Sequence, residues 1–304
     1  MDIVALVTGV VLAAFGGELF VRGSVGLARW MRIPPGIVGA TVAAFATSSP
    51  ETSVAVLAAI EGKPELALGD AAGSNLVNLG IVMGVTICLS PIVITAYDVR
   101  REMPVGIAAI GLLWVFASDG SFTRRESVLF LLMFLVWMVW VVRDARRDRL
   151  DIDALQTTTS RRTLIELGVG LVMLIAAGRL VVVAAKGIGT SLGWSEFIVG
   201  SLLVAAGTST PEFVTALVAA RRGHPEVGVG AVLGSNVFNT LFVVGIAGLI
   251  EPISGNVDGL SVAVVLGILG TLVLLPGRTG TTSRLRGGLL VAIYGAYVAG
   301  ILLA

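Results

Sequence analysis

The chain has 304 residues, 56% of them hydrophobic and 13% charged, with mean hydropathy +0.96 and a formal net charge of +1. Soluble domains carry about 25% charged residues, so this composition belongs in a bilayer, and its balance of charge offers nothing to nucleic acid. A single cysteine (Cys88) and a single histidine (His224) exclude an intrachain disulfide and a Cys/His zinc cluster.

Apolar runs long enough to cross a core of roughly 30 Å are predicted as helices. The first, 3–28, has an acid at Asp2 and no basic lead, so it reads as a retained helix and not as a signal peptide. The second, 36–60, contains Thr47-Ser48-Ser49-Pro50-Glu51. Thr47 and Glu51 are four apart and Ser48 and Glu51 three apart, so all three share one helix face. Pro50 has no N–H for the carbonyl of Ala46 and crowds the turn before it. It is therefore expected to open the helix and free backbone oxygens beside a carboxylate. At membrane depth such oxygens are tolerated only in a cavity or inside protein, and they suit a cation.

The third run, 65–89, follows a Gly-x-Pro turn, with Glu65 placed as a dipole or capping acid. Its Gly69 and Gly73 form a small-residue face for close helix approach. Ser74 and Asn78 stand one turn apart. Asp70 fits two roles: it shares the face of Ser74 and Asn78, or it caps a half-helix beginning after Gly69, and the structural role is favoured. Runs at 102–118 and 126–143 complete a set of five. The polar stretch 143–163 is too short for a regulatory domain.

A second set follows at 163–189, 196–220, 226–250, 257–276 and 285–304, and shifting the first five by 161 residues reproduces it. Between 39–84 and 200–245, 19 of 46 positions are identical, so the duplication is no accident of composition. It repeats Thr208, Ser209, Pro211, Glu212, Gly230, Gly234, Ser235 and Asn239, with Pro211 facing the carbonyl of Gly207. Glu226 matches Glu65, and His224, matching Lys63, reads as a surface-loop residue. Glu18 and Arg179 are equivalent and opposite in charge; they fit either an ion pair or snorkelling to the interfaces.

Five spans per unit force the second unit to insert upside down, a transporter signature. The expected fold is an all-α polytopic membrane protein of ten transmembrane helices, two inverted five-helix repeats with discontinuous helices. Its parts are 1–143 (first repeat), 144–162 (cytoplasmic linker) and 163–304 (second repeat), one integral membrane domain. With the N-terminus outside, 16 of 21 basic residues fall at inner loops and their flanks, the cytoplasmic signature. Both termini are thus expected to face out of a cell membrane.

Two carboxylates at equivalent places in apolar helices are costly and point to function. Two bidentate glutamates and two carbonyls already give six hard oxygens, within the 6–8 that Ca2+ takes, and no soft ligand invites zinc or copper. The doubled G-T-S-x-P-E and G-S-N pattern resembles the α-repeats of the cation/Ca2+ antiporter superfamily, in particular its prokaryotic Na+/Ca2+ exchangers, over all ten helices. The resemblance implies Glu51 and Glu212 as shared Ca2+ and Na+ ligands, with Thr47 and Thr208 acting through their carbonyls. It implies Ser48, Ser209, Ser74 and Ser235 as Na+ ligands, the carbonyls of Ala44 and Ala205 at outer Na+ sites, and Asn78 and Asn239 lining the middle. Three departures stand out: Ala46 where the family has glycine, Asn239 where aspartate is frequent, and Gly69-Asp70 and Gly230-Ala231 where it has Gly-Asn.

The expected function is Ca2+/Na+ antiport by alternating access, in the direction of Ca2+ extrusion and electrogenic. The alternative is H+/Ca2+ exchange on the same glutamates; the hydroxyls retained in both copies favour Na+. No cofactor is expected, only the transported ions, the lipid bilayer is the surrounding partner, and no feature calls for an obligate protein partner. An enzyme is not expected: the only histidine is in a loop and no H-E-x-x-H occurs. A passive channel suits a closed site between discontinuous helices poorly.

Overall fold

The computed structural model describes residues 2–90, 92–147, 161–189, 194–254, 259–276 and 280–303. Most of the linker expected at 144–162 therefore lies outside the described residues, as does Arg278. Among the described residues ten helical stretches follow the ten apolar runs. They are α1 (Asp2–Met31), α2 in two pieces (Pro35–Thr47 and Ser49–Ile60), α3 (Pro64–Leu89), α4 (98–117) and α5 (Arg124–Arg147). The second set is α6 (Arg161–Gly189), α7 in two pieces (196–208 and Thr210–Arg221), α8 (Pro225–Ile250), α9 (Gly259–Leu274) and α10 (Arg284–Leu303).

Local chemistry explains where these helices start and break. Gly62 (φ +72) and Gly223 (φ +76) turn the chain through the left-handed region, where a side chain would be strained. Pro64 and Pro225 then open α3 and α8 in the first turn, where a missing N–H costs nothing. Ser48 (φ −83, ψ 11) and Ser209 (φ −78, ψ 4) leave helical geometry, and Pro50 and Pro211 sit in the first turn of the piece that follows. The two pieces of α7 are bent by 43°. Asp70 caps nothing: α3 runs unbroken through Gly69 from its N-cap at Lys63, so the half-helix proposed to begin there does not exist.

The two repeats interlock through their glycines. A Cβ on Gly73 would lie 2.1 Å from the carbonyl oxygen of Ser201 on α7, and one on Gly234, 2.6 Å from that of Ala40 on α2. Thus α3 lies against the first piece of α7 and α8 against the first piece of α2, each pair crossing between repeats. Around these four helices α1 packs along α6, α10 against the end of α3, and α5 against the end of α8. The outer face of α5 is apolar and exposed, as at Leu132, Leu135 and Val136, which suits lipid, whereas buried polar residues gather at the crossing.

The loops report the relative orientation of the helices. Strand β1 (Ser121–Phe122), before α5, pairs antiparallel with β2 (Ile253–Ser254), before α9. The loop before α4 and the loop before α10 join elsewhere, Ile94 N–H donating to Gly280 O at 3.1 Å and Thr282 N–H to Ile92 O at 3.0 Å. Each pair unites loops expected on one side of the bilayer, so the helices alternate as ten spans require. Arg101, almost wholly buried, ties α4 to α5 by donating to Glu102 Oε1 (2.6 Å) and Asp144 Oδ2 (2.6 Å), the pairing that a buried guanidinium needs. Glu18 takes Arg22 (2.5 Å) and Arg222 as ion-pair partners, not Arg179.

Candidate ion-binding site

Two helix breaks and two unbroken polar helices meet at the centre of the bundle. Glu51 stands one turn beyond the break in α2 and Glu212 one turn beyond the break in α7, and both are fully buried. Their carboxyl groups lie within electrostatic reach of one another and of Asp70. Buried charges are ordinarily paired with an opposite charge, yet both oxygens of Glu51, Glu212 Oε2 and Asp70 Oδ2 have no hydrogen-bond partner.

Hydroxyls surround these acids unevenly. Ser235 Oγ donates to Glu212 Oε1 at 3.1 Å, and Ser48 Oγ lies 3.3 Å from the same oxygen and 3.0 Å from Ser235 Oγ. Across the pseudo-two-fold axis the equivalent contacts are missing. Ser209 Oγ is buried and unpartnered, and Ser74 Oγ turns to Thr208 Oγ1 (3.3 Å) and Asp70 Oδ1 (3.4 Å). Thr208 Oγ1 donates to Asp70 Oδ1 at 3.0 Å, whereas Thr47 Oγ1 bonds back to Ala43 O at 3.0 Å. The carbonyls of Ala44 and Ala205 accept the N–H groups of Ser48 (2.9 Å) and Ser209 (3.0 Å), and each also lies 3.4 Å from a threonine hydroxyl, Thr47 Oγ1 and Thr208 Oγ1 respectively.

Amides complete the compartment in mirrored pairs. Asn78 Nδ2 donates to Asn236 Oδ1 at 2.9 Å, and Asn239 Nδ2 to Asn75 Oδ1 at 3.4 Å. With their N–H groups engaged, Asn78 and Asn239 keep their side-chain oxygens buried and free. Asn75 and Asn236 thus orient the two amides that the sequence singled out. They were themselves passed over, although each is the asparagine of the repeated G-S-N. A further signal absent from the sequence reading is backbone shape. π-helical turns occur at Gly39–Ala43 and Val199–Val204, and again at Val77–Met83 and Asn239–Val243, in matching parts of the two repeats. Such turns are rare and frequent at functional sites.

The site therefore offers hard oxygen without nitrogen or sulfur. Among the described residues no three His, Cys, Asp or Glu side chains converge on one point. A divalent ion between Glu51 and Glu212 must draw its remaining ligands from neutral oxygens, which this compartment supplies.

Comparison with known proteins gives this geometry its kin. The family described as sodium/calcium exchanger protein matches residues 1–143 and 163–303. The chain belongs to the sodium/calcium exchanger family. It is 32% identical to CaxA of Alkalimonas amylolytica over 92% of this chain and 91% of that relative. The sodium/calcium exchanger MaX1 of Methanosarcina acetivorans is 24% identical, with 84% of each chain covered. Among solved structures, the sodium–calcium exchanger NCX_Mj soaked with Na+ and Sr2+ superposes with a TM-score of 0.83 at 27% identity, covering 98% of this chain and 97% of the other. This exchanger is accordingly a multi-pass membrane transporter of ten helices in two inverted repeats, with ions as its substrates, and not an enzyme.

Proposed function

We propose that this exchanger moves Ca2+ against Na+ by alternating access, extruding Ca2+ from the cell, with both ions competing for Glu51 and Glu212. The observation that carries the reading is the pair itself: two buried carboxylates, one from each inverted repeat, each beside a proline-broken helix and each with an oxygen left unpartnered. Ca2+ is assigned to the space between them, together with the carbonyls of Thr47 and Thr208. Na+ is assigned to flanking positions supplied by Ser48, Ser209, Ser74 and Ser235, with the Ala44 and Ala205 carbonyls, and Asn78 and Asn239 line the middle. A site of charge −2 that exchanges one Ca2+ for more than two Na+ moves net charge, so the cycle is electrogenic. The inner placement of 16 of 21 basic residues supports both termini facing outward.

The test is 45Ca2+ uptake into proteoliposomes under an imposed Na+ gradient and, separately, under an imposed pH gradient, each at zero membrane potential. Uptake driven by Na+ and indifferent to pH is expected. Uptake driven by the pH gradient alone would replace Na+ with H+ as the coupling ion.

A further inference from the structure

Asp70 is the third carboxylate buried at the centre, and the symmetry of the fold does not ask for it. Its repeat-equivalent is Ala231, which packs into the same kind of helix crossing without any polar atom. Asp70 has no exposed surface, and among the described residues it enters no ion pair. One oxygen, Oδ1, receives Thr208 Oγ1 at 3.0 Å and Ser74 Oγ at 3.4 Å. The other, Oδ2, is buried and unpartnered, as are both oxygens of Glu51 and the hydroxyl of Ser209. A carboxylate retained for packing is expected to be satisfied on both oxygens, because an unmet buried charge is expensive.

The acid also explains why the centre is lopsided. Glu212 holds Ser48 and Ser235, the arrangement that symmetry would repeat as Glu51 with Ser209 and Ser74. Asp70 instead draws Ser74 and Thr208 to itself, and Glu51 is left with no hydrogen-bond donor. One half of the centre is thus a hydroxyl pair bound to a glutamate, and the other a hydroxyl pair bound to a carboxyl group that has no symmetry mate. Asp70 has its own hydroxyl partners, Thr208 and Ser74, distinct from the Ser48 and Ser235 that bind Glu212. One carboxylate and two hydroxyls offer four side-chain oxygens, too few for Ca2+, which takes 6–8, and they match a monovalent ion.

We propose that Asp70, with Thr208 and Ser74, forms an anionic subsite for a monovalent cation beside the Glu51–Glu212 pair and makes one Na+ position stronger than its symmetry mate. The proposal rests on the exchanger reading above. Its test is Na+-dependent Ca2+ flux by the full chain in proteoliposomes, reading the half-saturating concentrations of Na+ and of Ca2+ separately for wild type, Asp70→Asn and Asp70→Ser. Loss of one direct charge on the ion is expected to raise half-saturating Na+ about tenfold, where each tenfold corresponds to about 1.4 kcal/mol. Half-saturating Ca2+ should move by less than about threefold, since its two carboxylates remain. A merely structural Asp70 would lower yield or maximal rate and leave the ratio of the two constants alone.

Equal shifts in both constants, a larger shift for Ca2+, or no shift in either would overturn the subsite. Failure of both neutral variants to fold would assign Asp70 to the fold and overturn it too. If wild-type protein shows no Na+-dependent Ca2+ flux, the exchanger reading falls, and the subsite with it.

Discussion

At the scale of single residues, the centre leaves carboxylate oxygens of Glu51, Glu212 and Asp70 buried and without hydrogen-bond partners. On the proposed assignment, Glu51→Gln or Glu212→Gln removes one of the two charges that would face Ca2+, and breaking a buried charge pair costs about 3–5 kcal/mol. Each variant should therefore lose at least about 100-fold in exchange at a fixed Ca2+ level while remaining dispersed and folded in detergent. Wild-type flux through either folded variant would remove that glutamate from the site. Asn236 acts one step further out, holding the Asn78 amide at 2.9 Å so that its oxygen stays free. Groups that orient a metal ligand are worth about 10–100-fold in affinity, so Asn236→Ala should raise half-saturating Ca2+ by about tenfold in the same flux assay. An unchanged value would make Asn236 simple interhelical glue. The sequence singles out the threonines, serines and glutamates because duplication marks them twice, and the structure gathers them at the helix crossing. Asn75 and Asn236 are marked twice as well, but their part depends on which neighbour each amide meets across the helix crossing. Asp70 was only half legible: its place on the face of Ser74 could be read from spacing, but it has no counterpart in the second repeat, and its bond to Thr208 crosses from another helix.

At the scale of elements, the ten helices were readable because hydrophobic thickness fixes their length and glycine–proline turns fix their ends. The breaks in α2 and α7 followed from Pro50 and Pro211 alone. The four π-helical turns in matching parts of the repeats did not, since a one-residue slip in backbone pairing leaves no residue type behind. Close approach, by contrast, can be tested one glycine at a time. A Cβ at position 73 would sit 2.1 Å from a backbone oxygen of α7, which has no side-chain freedom to move away. Gly73→Ala should thus destabilise the protein by about 1–3 kcal/mol, the usual scale of overpacking, and pull Ser74 away from Thr208. Gly111, in the middle of α4, has open space around its Cβ position. There the same change should stabilise by about 0.5–1 kcal/mol through lost unfolded-state freedom. Thermal unfolding in one detergent compares the two; similar melting temperatures for both variants would mean that the α3–α7 contact is looser than its geometry.

At the scale of the whole molecule, inversion places one half of the centre in each repeat. Loops from opposite repeats join at each end, 121–122 with 253–254 and 92–94 with 280–282. Any motion that opens one side must therefore carry helices of both repeats together. Charge then decides what drives the motion. If three Na+ replace one Ca2+, one positive charge crosses per cycle whatever the fixed charge of the site, because that charge travels both ways. One charge across 100 mV is worth about 2.3 kcal/mol, which corresponds to an about 50-fold change in the Ca2+ gradient at equilibrium. In proteoliposomes loaded with Na+, Ca2+ uptake releases net positive charge outward, so an inside-positive potential should favour accumulation and an inside-negative one should oppose it. A valinomycin-clamped K+ potential sets the voltage, and the final 45Ca2+ ratio is read at equal Na+ gradients. A ratio that ignores voltage would mean two Na+ per Ca2+ and an electroneutral cycle. A shift in the reverse sense would mean that fewer than two monovalent charges return for each Ca2+.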